Sequence, residues 1–360
     1  AISFNSQQVS DGWKHAYVKP LFKQGVASDP NNYRPISLTS TCCRVMERII
    51  NKELLDYLLN NSLISKEQHG FIRRRSTCSN LLECLQDWIL SIDNKRVTDV
   101  IYIDFKKAFD QVSHNKLLLK LNSYGITGDL YGWIKSFLSN RTQSVKIDGC
   151  LSSVIAILSG VPQGSVQGPI LFLIYINDLD TGVMNWLLKF ADDTKLFGKV
   201  NTVSDGLKLQ KDLQMLAKWS VEWQMQFNVN KCKTMHIGKK NLDLDYRMNG
   251  VVLDVVEVEK DLGVMISHDL KSSNQCLKAY ASANKILGMI NRTIENKNSN
   301  IMLNLYKSLV RPHMEYCTAV WSPYYVKDKE LIEKIQHRFT KMIIEVKHLS
   351  YADRLKKLGL

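Results

Sequence analysis

The stretch that most constrains this chain is Phe190-Ala191-Asp192-Asp193-Thr194-Lys195-Leu196-Phe197, where two adjacent carboxylates separate two apolar arms. Leu188, Phe190, Leu196 and Phe197 are apolar while Lys189 and Lys195 are not, which predicts a hairpin with Asp192 and Asp193 at its tip. Two aspartates at one tip repel each other and bury poorly. Two readings are open at this point: an exposed acidic turn, Asp being a common turn residue, or a site for a divalent cation with oxygen ligands.

A third carboxylate bears on the choice. Val100-Ile101-Tyr102-Ile103 is a fully apolar run of strand length that ends in Asp104. Such a run predicts a strand covered on both faces, with Asp104 at its carboxyl end, a common location for active sites. If this strand and the hairpin are neighbours, Asp104, Asp192 and Asp193 form one cluster. Three carboxylates would hold two Mg²⁺ ions, one lowering the pKa of an attacking hydroxyl and the other binding a phosphate-bearing leaving group, which is the chemistry of nucleotidyl transfer. The charge agrees with that chemistry: 48 Lys and Arg stand against 35 Asp and Glu, a formal +13 that favours a polyanionic partner. No stretch approaches the ~18 to 20 apolar residues of a membrane span, so nucleic acid is expected and a membrane is not.

The flanking regions read in order. Trp13 to Phe22 alternates as a strand, Gly25 to Asn32 is a polar loop, and Tyr33 to Leu38 is a second strand, so Lys23 and Arg34 belong to a basic hairpin and face whatever lies beneath it. A helix is predicted over Thr39 to Asn60, capped by Ser40 or Thr41, with Val45, Ile49, Ile50, Leu54, Leu55, Leu58 and Leu59 at helical spacing. Another is predicted over Ser76 to Ile92, with Leu81, Leu82, Leu85, Trp88 and Ile89 on one side. Between them, Arg73, Arg74 and Arg75 suit phosphate contacts, or form a solvated charge run.

After Asp104 come helices over about residues 115–140, a strand from Arg141 to Ile147, the glycine-rich turn Ser159 to Ser165, and an apolar helix from about Pro169 to Leu179. An amphipathic helix is expected over Ser204 to Trp223, and strand-like pieces at Phe227 to Ile237, Tyr246 to Val252 and Asp261 to Ile266. From Lys271 the chain reads as helical and basic, with 16 Lys and Arg against 7 Asp and Glu, which marks a domain boundary near residue 270. Eight scattered cysteines without a Cys-x-x-Cys argue for a reducing compartment and against a zinc module or a disulfide framework. The start at Ala1 and the stop at Leu360 are read as cuts through a longer protein.

The ordered motifs Asn32-Tyr33-Arg34-Pro35-Ile36-Ser37-Leu38, Gln68-His69-Gly70-Phe71, Asp104-Phe105-Lys106-Lys107-Ala108-Phe109-Asp110, Ser159-Gly160-Val161-Pro162-Gln163-Gly164-Ser165 and Phe190-Ala191-Asp192-Asp193 closely resemble the reverse transcriptases of non-LTR (LINE-type) retrotransposons, the jockey-like branch above all. Leu309 to Cys317 and Trp321-Ser322-Pro323 resemble the segment that follows the polymerase core in that branch.

The resemblance implies a mixed α/β (α+β) right-hand polymerase, with fingers over residues 1–97, a palm over 98–268 and a basic helical thumb over 269–360. It implies that Asp104, Asp192 and Asp193, with the carbonyl of Phe105, hold two Mg²⁺ ions, Mn²⁺ being a substitute. By the same resemblance Phe109 is a steric gate against a ribonucleotide 2′-OH, Gln163 and Gly164 lie beneath the incoming base pair, and Lys23 and Arg34 meet the triphosphate. Lys231 protonates the departing pyrophosphate, and Arg73, Arg74 and Arg75 touch the template backbone. The implied partners are an RNA template, a DNA primer or target and dNTPs, in the cytoplasm and nucleus as the element's ribonucleoprotein. The upstream endonuclease domain of such elements is expected to be absent from this chain. Gln167, Ile72 and Val26 depart from the family pattern, and a catalytically decayed nucleic-acid-binding remnant is the alternative reading.

Overall fold

The structure is a computed structural model that describes residues 2–360. In chain order its strands are β1 (His15–Phe22), β2 (Tyr33–Leu38), β3 (Thr98–Ile103), β4 (Arg141–Ile147), β5 (Cys150–Leu151), β6 (Ile155–Ile157), β7 (Trp186–Phe190), β8 (Asp193–Lys199) and β9 (Lys233–Ile237). The short β10 (Arg247–Met248), β11 (Val251–Val252) and β12 (Asp254–Val255) follow, then β13 (Val258–Asp261) and β14 (Val264–Ser267). One sheet runs β12-β9-β3-β8-β7, so the apolar run ending in Asp104 is its middle strand. Val100, Ile101 and Ile103 are buried, as a strand covered on both faces requires. A second sheet runs β2-β1-β4-β5, with β6 also on β4. Residues 141–157 therefore extend the basic N-terminal hairpin through a parallel β1–β4 pairing.

Helix boundaries follow the sequence pattern, but some faces differ. Over Thr41–Asn60 the buried face is Cys43, Glu47, Ile50, Leu54, Leu55 and Leu58, whereas Val45 and Ile49 point to solvent. Ser40 occupies the N-cap position without a side-chain capping bond. Over Thr77–Asp93, Ser76 and Ser79 form a reciprocal capping box; Leu81, Leu85 and Trp88 are buried while Leu82 and Ile89 are exposed. Leu82 and Ile89 lie seven apart on a stripe displaced from the buried one, so an apolar residue near the right spacing still ends outside.

The two late strand-like pieces prove to be hairpins. Tyr246 to Val252 reverses at Asn249-Gly250, both at positive φ, and Asn-Gly is the sequence signal for such a two-residue turn. Asp261 to Ile266 straddles the tip of the β13–β14 hairpin and is not a strand.

From Ser273 the chain is helical, and its own core gathers Ala283, Leu287, Ile290, Tyr306, Ile335 and Phe339, with Tyr306 stacked on Phe339 at 4.2 Å. No helix of the described residues is long and apolar enough to cross a membrane. All eight cysteines are free thiols.

Two buried polar clusters lead to testable stabilities. Asp99, at the start of β3, is fully buried and accepts hydrogen bonds from His236 Nδ1 (2.8 Å), Asn241 Nδ2 (2.7 Å) and the Tyr246 hydroxyl (2.6 Å). Burial alone would depress the His236 pKa, but the bond and charge of Asp99 outweigh it and raise it above 6.5. A raised histidine stabilises the fold fully below the unfolded value and loses that contribution as pH rises through the folded one. His236→Gln is therefore expected to lower stability by about 1–3 kcal/mol below pH 6.5 and by less at alkaline pH, as read from urea midpoints across pH.

The second cluster explains Gln167. Its side chain is fully buried and neither amide atom finds a protein partner, while its backbone N–H donates to Glu47 Oε2 at 2.9 Å. Gln167→Leu removes two orphaned polar atoms and leaves that backbone bond in place. A gain of about 1–2 kcal/mol in unfolding free energy is expected from urea denaturation.

Candidate active site

Register brings the carboxylates to one edge. In the antiparallel β3–β8 pair Ile103 lies opposite Thr194, so the next step along both strands sets Asp104 beside Asp193. In β7–β8, Phe190 lies opposite Asp193, which leaves Ala191-Asp192 as a two-residue turn. The Asp104 carbonyl accepts from Asn228 N–H at 2.7 Å and its own N–H approaches Cys232 Sγ at 3.5 Å, fixing the strand end from the other side. A cavity of about 150 Å³ opens here, lined by Asp104, Asp193, Lys195, Lys231, Glu259 and Asp261 among others.

The electrostatics carry a chemical meaning. Burial, and then the charge of Asp104, push the Asp192 pKa upward, and Arg34 and Lys23 offset part of that rise. Asp193 is pushed up to about 6 by desolvation first, then by Asp192, Asp261 and Asp104. Arg34, Lys23 and Lys195 thus offset only part of the crowding of these carboxylates. That donor set, oxygen-rich and anionic, fits a hard divalent cation. Among the described residues no three His, Cys, Asp or Glu side chains close into a metal cage, so the site consists of neighbouring carboxylates rather than a finished coordination sphere.

Other predicted residues surround this edge. Phe105 is buried and packs on Phe227 at 4.7 Å; the bonds that join its segment to residues 226–228 use the Asp104 carbonyl and the Lys106 N–H, not the Phe105 carbonyl. Phe109 is half-buried and stacks on Phe172 at 4.4 Å, so one ring face packs in the core. The Gln163 carbonyl accepts from Ser37 N–H at 2.6 Å, which docks the glycine turn on β2. Gly164 is required there, because a Cβ would lie 2.5 Å from the Ser37 carbonyl oxygen. Lys23 and Arg34 are exposed on the basic hairpin, within electrostatic reach of Asp192. Lys231 stands at the end of a short helical turn, Val229–Lys231, and is exposed at the cavity wall.

Residues 21–290 match the family described as Reverse transcriptase (RNA-dependent DNA polymerase). The chain belongs to the reverse transcriptase family. It is 28% identical over 323 residues to the RNA-directed DNA polymerase from mobile element jockey of Drosophila melanogaster, covering 86% of this chain and 35% of that protein. It is 26% identical over 357 residues to the probable RNA-directed DNA polymerase from transposon BS of the same species, covering 92% and 38%. The chain thus spans a little over a third of the length of these relatives.

The structure of telomerase from Candida tropicalis in complex with a fragment of telomeric RNA superposes with a TM-score of 0.56 at 13% identity, over 97% of this chain and 56% of that one. Apo telomerase from the same organism gives 0.55 over 97% and 60%. The fold is the right-hand fold of reverse transcriptases. Reverse transcriptases generally use divalent metal ions, in keeping with the crowded carboxylates.

In this reverse transcriptase the three consecutive arginines divide. Arg75 Nη1 donates to the carbonyls of Lys66 and Gln68, so it braces the protein's own backbone. Arg73 pairs with Asp56 at 3.0 Å, and Arg74 is exposed at φ +64°. Of the residues that depart from the family pattern, Ile72 is buried in the main core and Val26 is 67% exposed.

Several residues that build the site escape sequence reading. Lys189 and Lys195 interrupt the apolar arms as if facing solvent, yet both are buried: Lys189 pairs with Asp180 at 3.0 Å and Lys195 with Asp261 at 2.7 Å. The β7–β8 hairpin is therefore covered on both faces, which corrects the alternation reading. Glu47, interior to its helix, accepts from Val166 and Gln167 N–H and anchors the start of helix Gly168–Ile176. A lone Glu on the face that also carries Ile50 and Leu54 is the available signal.

Proposed function

We propose that this chain is the polymerase core of a non-LTR retrotransposon and extends a DNA 3′ end along an RNA template with dNTPs. The observation that carries the reading is the convergence of Asp104, the turn residue Asp192 and the first β8 residue Asp193 at one edge of a buried sheet, with Lys23 and Arg34 acting on Asp192 from the neighbouring hairpin.

Residues 1–97 serve as fingers, 98–268 as palm and 269–360 as thumb. The β1–β4 pairing lets the fingers sheet borrow residues 141–157. Asp104, Asp192 and Asp193 are the carboxylates that would hold two Mg²⁺, with the Phe105 carbonyl as a further oxygen. When bound, the ions supply Lewis acidity toward the 3′-hydroxyl and charge neutralisation at the phosphates.

The chain's own groups do the rest. Lys23 and Arg34 hold the triphosphate by charge-assisted hydrogen bonds. Lys231, exposed beside Asp104 and Asp193, gives a proton to the departing pyrophosphate. Phe109, its ring held by stacking on Phe172, excludes a ribonucleotide 2′-hydroxyl by overlap. Gln163 and Gly164 support the base pair from the docked turn. Arg74 and the basic helices after Lys271 meet the nucleic-acid backbone.

Primer extension tests the proposal. The chain is expected to extend a DNA primer on an RNA template with dNTPs in Mg²⁺ or Mn²⁺, to discriminate against ribonucleotides, and to stop when the ions are chelated. Absence of extension with either ion would overturn the reading.

A further inference from the structure

The segment Glu67–Gly70 makes contacts that none of the roles above uses. Its backbone pairs with the outer strand of the catalytic hairpin: Lys189 N–H donates to the Glu67 carbonyl (2.9 Å) and His69 N–H donates to the Lys189 carbonyl (2.8 Å). The Gln68 side chain is 2% exposed, and its Oε1 accepts from both Gly70 N–H (2.7 Å) and Ala191 N–H (2.9 Å). Ala191 is the residue before Asp192 and sits at φ +55°, a left-handed conformation that a non-glycine residue adopts only when its surroundings impose it. Gly70 lies against the same peptide: a Cβ there would stand 2.3 Å from Ala191 N and 2.9 Å from the Phe190 carbonyl carbon. His69, bonded to Ser79 Oγ at 2.9 Å and Glu83 Oε2 at 3.0 Å, ties the segment to the helix Thr77–Asp93.

We propose that Gln68 and Gly70 form a positioning clamp that holds the Ala191–Asp192 turn in its strained conformation and so sets where the Asp192 carboxylate stands relative to Asp104. Gln68 is a positioning residue: it is buried and acts on the turn through the Ala191 N–H. The clamp rests on the proposed function for its catalytic consequence, but not for its effect on the hairpin.

The test pairs amide hydrogen exchange of residues 186–199 with steady-state primer extension, in the wild-type chain, Gln68→Met and Gln68→Glu. Gln68→Met keeps the size and removes the acceptor. It is expected to speed exchange in the hairpin about tenfold while leaving the helix Val203–Glu222 protected. Its kcat should fall about 10- to 100-fold, with KM for dNTP and primer–template affinity within about twofold of wild type. Gln68→Glu keeps an acceptor for both N–H groups and should retain hairpin protection.

Unchanged hairpin exchange in Gln68→Met would overturn the clamp, and so would exchange that rises equally throughout the folded chain. If Gln68→Met does not fold, Gln68→Glu decides, since lost hairpin protection in a folded protein that still has the acceptor contradicts the proposal. Exchange needs no activity, so an inactive wild-type chain would count against the proposed function and leave the clamp to be judged on exchange alone.

Discussion

Asp104→Asn and Asp192→Asn are each expected to lower the rate of primer extension by about 10³-fold or more, with no loss of folding stability. Each substitution keeps the side-chain shape and removes one negative charge from a site whose chemistry needs that charge. The stability half of the expectation comes from the electrostatics of the unliganded protein. Asp192 has its pKa raised by burial and by Asp104, so ionised Asp192 is a cost to the fold. Removing the charge relieves that cost. The melting temperature of Asp192→Asn without divalent ions should therefore equal or exceed that of the wild type, the opposite of what a structural carboxylate would show. Extension assays read against thermal melts separate the two outcomes; an Asp192→Asn protein that melts lower and polymerises normally would contradict both halves.

Asp261→Ala is expected to destabilise the fold by about 3–5 kcal/mol. Lys195 and Asp261 are each only 4% exposed at the side chain and meet at 2.7 Å. Burial pulls the Lys195 pKa down, but Asp261 and Cys84 together outweigh it and keep the ammonium charged. Removing Asp261 takes away the one carboxylate that meets that ammonium at ion-pair distance, and leaves it in the interior with its lost hydration poorly offset. A buried pair replaced as a unit behaves differently, because neither charge is then left alone. Lys195→Met combined with Asp261→Leu should recover most of the loss, and urea denaturation of the two singles and the double closes the cycle. The pair joins β8, two residues from Asp193, to the β13–β14 hairpin, so its loss should also loosen the wall of the active-site cavity.

Much of the site is legible in the sequence because its signals are local. An apolar run that ends in a carboxylate reports its own burial and its own end, and Asp104 lies where that run predicts. The hairpin follows from the apolar arms on either side of it, but its turn is Ala191-Asp192, one residue before the expected Asp192-Asp193 tip, because Asp193 pairs with Phe190 as the first residue of β8. The errors are also local in origin. Periodicity assigns Val45, Ile49, Leu82 and Ile89 to buried faces because it tolerates a residue one step off the stripe, and it passes over the Asn249-Gly250 turn inside an otherwise strand-like run. Lys189 and Lys195 read as a solvent face because a charged side chain carries no mark of a partner elsewhere in the chain.

The sequence by itself determined the order of the main elements, the hairpin, the buried strand that ends in Asp104 and the basic C-terminal helices, and its ordered motifs placed the chain among reverse transcriptases. Only the tertiary structure decided what holds the carboxylates in place: Gln68 on Ala191 across 123 positions, Asp261 on Lys195 across 66, and Ser37 on the carbonyl of Gln163. Periodicity and propensity record how a residue meets its immediate neighbours. A hydrogen bond or ion pair between distant segments exists only after the chain closes on itself, and no local pattern encodes which of many acceptors a given N–H will meet.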